Sequence, residues 1–258
     1  MILNLLVAHF VGDFYCQCKR MCDKKIIGCG WFGCSTIFLH SVIIAVLSML
    51  VLWDWDAWKV VLAIFASHYI IDCVKSVISR ECNLIIIENG EVKDGKNARY
   101  HLWLFLSDQF FHIVAIFVFV YWLGDFSWEA SKCISHFISA NQMVVKVILA
   151  CVIICKPANI LVQLILKERE VKVTQNDNHG SFRSGALIGI MERCLILAFV
   201  ILDKYEAIGF LLGAKSILRF SKTQDKPEDE KSEYVLAGTL VSLAIALVMG
   251  IMVVKLSF

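Results

Sequence analysis

The sequence predicts an all-α polytopic membrane protein with about 6–8 transmembrane helices. Hydrophobic residues make up 59% of its 258 residues and charged residues 19%, and the mean hydropathy is +0.70. A soluble globular domain has about 45–50% apolar and about 25% charged residues. This composition excludes a disordered chain and disfavours an ordinary soluble enzyme.

Five segments have the length of roughly 20 apolar residues that a helix needs to cross a bilayer. In chain order they are 37–53, 58–78, 101–123, 143–166 and 234–255. Pro157 lies within the fourth of them, where it predicts a kink. Three further segments, 1–17, 185–203 and 205–220, are shorter or carry charge. Segment 185–203 is nearly as apolar as the five but carries Glu192 and Arg193, and each of the two short segments, 1–17 and 205–220, crosses the membrane or lies at its interface.

The basic residues predict the orientation. If eight segments cross, four connections share one side: 18–36, 79–100, 167–184 and 215–233. The first three carry four Lys or Arg each and the last carries five, so 17 of the 25 basic residues lie on that side. Lys and Arg accumulate in cytoplasmic loops, so we expect these connections inside and both termini outside. Within the second connection, Asn89–Gly90 between β-branched residues predicts a short hairpin.

The ionisable residues inside these segments are few, and in a membrane such residues indicate function by default. Three pairs of them, His9–Asp13, His68–Asp72 and Asp108–His112, have i,i+4 spacing. Positions four apart lie on one face of a helix. Together with His40, these residues fall in a band roughly 5–17 Å from the inner surface. We therefore expect one polar site between the first four segments.

Imidazoles and carboxylates in this number suit Zn, Mn or Fe. The expected metal ligands are His9, Asp13, His40, His68, Asp72, Asp108 and His112. Lys75 would stabilise a developing negative charge, and Gln17 and Gln109 would orient ligands. Two other interpretations stay open: an Asp–His proton relay, and buried hydrogen bonds that only fasten helices together.

A second polar set lies in the C-terminal half. Arg193, Lys215 and Arg219 predict an inner-leaflet site for a lipid head group or another anion. Alternatively, Glu192 and Arg193 lock helices together through partners elsewhere. Five tryptophans fit an outer interfacial belt: Trp53, Trp55, Trp58, Trp122 and Trp128.

The cysteine count and the net charge argue against a secreted disulfide-rich protein and a nucleic-acid-binding protein. The 11 cysteines are odd in number and several lie in apolar segments, which disfavours a secreted disulfide framework. A net charge of +2 gives no indication of nucleic-acid binding. The lipid bilayer is the expected partner.

Three motifs carry a family resemblance: HFVGDFYCQCKR (9–20), HYIIDCVK (68–75) and SDQFFH (107–112). They resemble the bacterial multi-pass proteins grouped as domain of unknown function 3307, over about residues 1–122. The stretches 185–220 and 233–242 look like the C-terminal half of longer members. The resemblance implies a bacterial inner-membrane location with the basic connections in the cytoplasm. The pattern is also loosely similar to bacterial membrane proteins labelled metal-dependent hydrolases.

These observations predict a His/Asp-containing membrane domain over residues 1–123 and further membrane helices over 124–258, as one integrated unit. The leading functional hypothesis is a metal-dependent hydrolase whose site opens toward the cytoplasmic leaflet and takes a membrane-accessible or lipid-like substrate. An ion- or proton-coupled transporter that uses the same Asp and His residues is the first alternative. A non-enzymatic membrane scaffold or partner subunit is the second.

Overall fold

A computed structural model describes residues 1–27, 35–82, 84–88, 91–94, 100–123, 142–168, 179–223 and 229–255. In these ranges the chain is helical apart from one hairpin, so the all-α prediction is confirmed. The helices are α1 (Ile2–Phe14), α2 (Lys19–Ile27), α3 (Ser35–Leu52), α4 (Trp58–Glu81), α5 (His101–Leu123), α6 (Gln142–Cys155), α7 (Pro157–Glu168), α8 (His179–Ile201), α9 (Tyr205–Thr223) and α10 (Asp229–Lys255). A short 3-10 turn, Trp55–Ala57, precedes α4.

Five helical stretches are long and apolar enough to cross a membrane. They are Ser35–Leu52, Trp55–Glu81, His101–Leu123, Gln142–Leu166 and Leu236–Lys255. They coincide with the five segments predicted from hydropathy, and α1 is a shorter apolar helix. The chain is therefore a polytopic membrane protein by helix length and composition, and the crossings by 1–17, 185–203 and 205–220 remain predictions.

The predicted hairpin is present. Strand β1 (Ile85–Glu88) pairs antiparallel with β2 (Glu91–Asp94), with Ile85 opposite Asp94 and Glu88 opposite Glu91. The expected turn residues Asn89 and Gly90 lie outside the described residues.

The chain divides into two compact units, Met1–Leu149 and Ala150–Phe258. The predicted domain boundary near residue 123 and the single integrated membrane unit remain predictions.

In the first unit, α1, α3, α4 and α5 form a closed ring, since α1 contacts both α3 and α5 and α4 contacts both α3 and α5. Helix α2 packs on α3 and α4. One half of the ring encloses an apolar layer of Leu5, Ile44, Val60, Ile64 and Ile116. Gly12 allows α1 and α3 to approach closely, because a Cβ there would overlap the Cδ1 of Ile44.

In the second unit, α10 packs along α8 and α7, and α8 contacts α9. The core between these helices contains Ile196, Val200, Ile208 and Ala246. The predicted kink is a break: α6 ends at Cys155 and α7 begins at Pro157. Proline has no backbone N–H and its ring clashes with the preceding turn, so the helix stops there.

The described tryptophans of the predicted interfacial belt are exposed on the protein surface, where they could contact the membrane interface. Trp53, Trp55, Trp58 and Trp122 are all exposed, at the end of α3, around the start of α4 and at the end of α5. Trp128 lies outside the described residues.

Candidate metal centre

The polar residues predicted in the first four apolar segments meet inside the helix ring of the first unit. Helix α1 contributes His9 and Asp13, α3 His40, α4 His68 and Asp72, and α5 Asp108 and His112. None of these seven side chains is more than 9% exposed. The polar site therefore forms where the sequence predicted it, between the helices and beside the apolar layer.

Asp13 joins the helices of the ring. His40 Nε2 donates to Asp13 Oδ1 at 3.0 Å, and His68 Nε2 lies 3.3 Å from the same oxygen. Gln109 Nε2 donates to Asp13 Oδ2 at 3.3 Å. One carboxylate of α1 thus contacts α3, α4 and α5.

The shortest contacts cross between helices rather than following the i,i+4 pairs. The His9–Asp13, His68–Asp72 and His112–Asp108 side chains approach only to 3.9, 3.8 and 3.6 Å. The spacing places each pair on one interior face, which is what the pattern predicted, but each Asp has a closer partner on another helix. The i,i+4 spacing is therefore a sign of the shared face and not of a local hydrogen bond.

His40 has both ring nitrogens engaged. Its Nε2 lies 3.0 Å from Asp13 Oδ1 and 2.6 Å from Gln17 Nε2, and its Nδ1 lies 3.1 Å from the same amide nitrogen. The Cys22 thiol donates to the Gln17 carbonyl oxygen at 3.5 Å, which turns the amide nitrogen toward His40. Desolvation raises the pKa of the Cys22 thiol, so it stays protonated at neutral pH and keeps this donor role. His40 is thus placed to orient Asp13.

His112 is held in the tautomer that metal ligands use. Its Nδ1 contacts the backbone carbonyl of Asp108 at 2.8 Å, and because a carbonyl only accepts, Nδ1 carries the proton. Nε2 then bears a free lone pair. The His112 ring centroid lies 4.2 Å from that of His68 and 5.0 Å from that of His9, so several imidazoles share one small volume.

Several buried polar atoms of the site have no hydrogen-bond partner among the described residues. They are Nε2 of His9, His68 and His112, Oδ1 of Asp108 and Oε1 of Gln109. Leaving such an atom unsatisfied costs about 1–3 kcal/mol, and native proteins contain few of them. Most of these atoms are ordinary metal-ligand atoms, so the unsatisfied set is suited to a cation.

Three groups of side chains have the spacing of a metal shell. They are His9–Asp13–His68, His40–His68–Asp72 and Asp72–Asp108–His112, and within each group the ligand atoms lie within 4.8 Å of one another. The first and third groups share no residue. The residues present therefore fit one ion, or two ions side by side.

Two lysines contact the carboxylates of the site. Lys75 Nζ donates to Asp108 Oδ2 at 2.6 Å, and Gln109 Nε2 donates to the same oxygen at 3.0 Å. Lys25 Nζ donates to Asp72 Oδ2, also at 2.6 Å. The sequence analysis missed Lys25, because 18–36 was interpreted as a connection and not as a region containing α2. The connection 18–36 carries four basic residues and lies on the predicted inner side, near the polar site. That was the feature of the sequence that could have indicated Lys25.

The second predicted set has other partners. Arg193 is 2% exposed, and its Nε donates to the Ile154 carbonyl at 2.8 Å and its Nη1 to Ser242 Oγ at 2.9 Å. Lys215 Nζ donates to Glu192 Oε2 at 2.6 Å. The Arg219 side chain lies outside the described residues. These contacts join α8 to its neighbours, and an anion site here remains a prediction.

Comparison with known proteins gives one result. The model of the family described as a protein of unknown function, DUF3307, matches residues 1–145. Curated proteins and solved structures yield no match. The matched residues include every helix that contributes to the polar site and more than half of the chain. The chain therefore belongs to the DUF3307 family.

Proposed function

We propose that the polar site of the first unit binds divalent metal and that the protein catalyses metal-dependent hydrolysis of a membrane-accessible substrate. The observation that carries the proposal is the set of unsatisfied Nε2 atoms of His9, His68 and His112 beside Asp108 Oδ1. Buried ligand atoms that lack a hydrogen-bond partner are stabilised by a cation. Zn, Mn and Fe all accept this mixture of nitrogen and oxygen ligands.

Two ions bound in this site would each have a separate set of ligands. His9, Asp13 and His68 form one shell, and the second shell, Asp72–Asp108–His112, is separate from it. Two-metal sites hold their ions about 3.5–4 Å apart and stabilise both the attacking and the leaving oxygen of a displacement. His40 serves as the residue that orients Asp13, because both of its ring nitrogens are already engaged.

The chemistry follows from the metal and the polar residues around it. A metal held by these residues would lower the pKa of a bound water to about 7 and would supply hydroxide for the hydrolysis of an ester. In the balanced reaction, the acyl group gains the hydroxyl group of the water and the leaving alcohol gains its proton. Lys75 stabilises the negative charge that develops on the substrate. Gln109 orients Asp13 and Asp108, and Gln17 orients His40, so these amides act by positioning.

The position of the site supports a membrane-accessible substrate. The Lys75 side chain is 37% exposed, whereas its partner Asp108 is 1% exposed, so Lys75 is the group of the site that a substrate would meet first. Helix α5, which carries Asp108, also exposes Trp103, Phe110 and Phe111, and these side chains are suited to contact lipid. A substrate that resides in the bilayer would reach Lys75 without crossing the apolar layer.

The first test is elemental analysis of the detergent-purified protein beside the variants Asp72→Ala and Asp108→Asn. We expect one or two equivalents of Zn, Mn or Fe in the wild-type protein and loss in both variants. Asp203→Asn is the matched control, since Asp203 lies in the second unit and Asn tolerates its positive φ of 56°. Unchanged metal content in Asp72→Ala would overturn the metal assignment.

A proton- or ion-coupled carrier is the second candidate function. The observation that favours it is the neutralisation of Asp72 by Lys25 and of Asp108 by Lys75, since these ion pairs balance two carboxylates without a metal. A carrier would exchange protons among Asp13, Asp72 and Asp108. Proton flux into proteoliposomes that is lost in Asp108→Asn, in a protein that binds no metal, would support this candidate over the hydrolase.

A scaffold function rests on the contacts of Asp13 with α3, α4 and α5. In this case the polar residues would only fasten helices. His-to-Ala variants would then lose thermal stability and nothing else, and their normal stability would exclude this function.

A further inference from the structure

Two ammonium groups lie at the edge of the proposed metal centre. Lys25 reaches the site from α2 and Lys75 from α4, and each donates to a different aspartate at 2.6 Å. Their side chains are 11% and 37% exposed, whereas the aspartates that they contact are 7% and 1% exposed. A ligand that reaches these aspartates from the side of the lysines would meet both ammonium groups.

The charge of the site changes sign when metal binds. Three aspartates and two lysines leave one net negative charge when the imidazoles are neutral. Two divalent ions would convert this into three positive charges. A net charge in a buried site is costly unless a counter-charge accompanies it. The loaded centre thus requires an anion.

We propose that the substrate of this site carries a phosphate group, held by Lys25 and Lys75. This inference rests on the metal centre proposed above. A hydroxide and a phosphate dianion together carry three negative charges, which is the charge that two divalent ions leave uncompensated. Lysine is a common phosphate ligand because its ammonium group acts as a point charge with three donors.

The lysines are free to change partner. When the carboxylates of Asp72 and Asp108 coordinate a metal, their negative charge is partly neutralised, and they attract the two ammonium groups less strongly. Helix α2 keeps its place meanwhile, because Ser76 Oγ donates to the backbone carbonyl of Lys25 at 3.4 Å rather than to its side chain. Lys75 is the more exposed of the two and is the first to meet a phosphate group.

Binding of inorganic phosphate to the Mn²⁺-loaded full-length protein in phosphatidylcholine nanodiscs tests the inference. Bound Mn²⁺ is measured first, and phosphate binding is then followed by paramagnetic broadening of the ³¹P resonance. We expect the double variant Lys25→Gln/Lys75→Gln to raise the Kd for phosphate at least tenfold with Mn²⁺ content unchanged. Lys24→Gln, at an exposed neighbouring position of α2, is the matched control and should keep the wild-type Kd. Lys25→Arg/Lys75→Arg should restore most of the affinity, because the charge is retained.

The outcomes separate the two proposals. Protein without Mn²⁺ would overturn the metal centre and this inference with it. Protein with Mn²⁺ that does not broaden the phosphate signal, or an unchanged Kd in the double Gln variant, would overturn this inference alone. Competition then identifies the source of the phosphate: displacement by phosphatidic acid in the nanodisc indicates a lipid, and displacement by soluble glycerol phosphate indicates a water-borne ester. Displacement by neither would overturn a phosphate-bearing substrate.

Discussion

The histidines of the site have different tasks although all lie in one cluster. His68 belongs to two of the three candidate metal shells and has a buried, unsatisfied Nε2. His40 has both nitrogens hydrogen-bonded. We therefore expect His68→Ala to abolish metal binding and His40→Ala to weaken it about 10–100-fold, as loss of an orienting partner does.

Competition with a metal-indicator dye measures both affinities. His101→Ala provides the control, because His101 begins α5 and lies two turns before Asp108. An equal loss in His40→Ala and His68→Ala would place His40 among the direct ligands.

At the level of residues, the sequence was sufficient to predict the seven candidate ligands but not their contacts. The i,i+4 spacing defines which residues share a face, and it contains no information about which helix lies opposite. Asp13 therefore lies closer to His40 and His68 than to His9. Lys25 was missed for a similar reason, since its distance of 47 residues from Asp72 leaves no local pattern.

At the level of elements, Gly250 determines how closely α10 approaches α8. A Cβ at Gly250 would lie 2.8 Å from both Cβ and Cγ1 of Val200, whose β-branched stem cannot turn away. We expect Gly250→Ala to cost about 1–3 kcal/mol through overpacking. A lower thermal midpoint in detergent would be the measured effect.

Gly209→Ala is the matched control for this change. Gly209 lies in α9, and a Cβ there meets nothing within 4 Å. Alanine at that position should raise stability by up to about 1 kcal/mol, because glycine is a poor helix former. A similar loss of stability in both variants would refute close packing at Gly250.

Arg193 contacts the chain just before the break between α6 and α7. Its Nε satisfies the carbonyl of Ile154, one turn before the break, and its Nη1 donates to Ser242 on α10. We expect Arg193→Met and Ser242→Ala each to destabilise the protein, with a coupling of about 0.5–3 kcal/mol in the double-mutant cycle. Additive effects in detergent unfolding would show that the Nη1 contact contributes nothing.

The helices themselves were predictable because their apolar runs match the thickness of a bilayer. Helix α2 was not, since it is short and polar, and its nine residues gain their structure by packing on α3 and α4. The apolar pattern also did not predict that the helix breaks at Pro157, where Arg193 of another helix donates to the Ile154 carbonyl.

At the level of the whole molecule, metal binding and stability should be linked. A ligand at about 100 times its Kd stabilises the native state by about 2.7 kcal/mol. We expect chelation of the metal to lower the thermal midpoint of the wild-type protein and to leave Asp72→Ala unaffected. Differential scanning fluorimetry with and without chelator makes the comparison. The same downward shift in Asp72→Ala would assign the effect to something other than this site.

The division into two units predicts that the metal centre belongs to the first alone. Every described side chain of the site lies in Met1–Leu149, and the family match ends at residue 145. A fragment comprising residues 1–149 should bind the metal with wild-type stoichiometry in detergent. A folded fragment that binds none would show that residues 150–258 take part in the site.

The apolar layer of Leu5, Ile44, Val60, Ile64 and Ile116 has an electrical consequence. In a ring that crosses the membrane as predicted, this layer is the dry dielectric, and most of the transmembrane voltage drops across it. An ion that enters the histidine cluster from the end of the ring away from the apolar layer therefore crosses only a small fraction of the transmembrane potential. Since each charge moved through the full potential gains about 2.3 kcal/mol per 100 mV, occupancy of the cluster should stay nearly constant when vesicles are polarised.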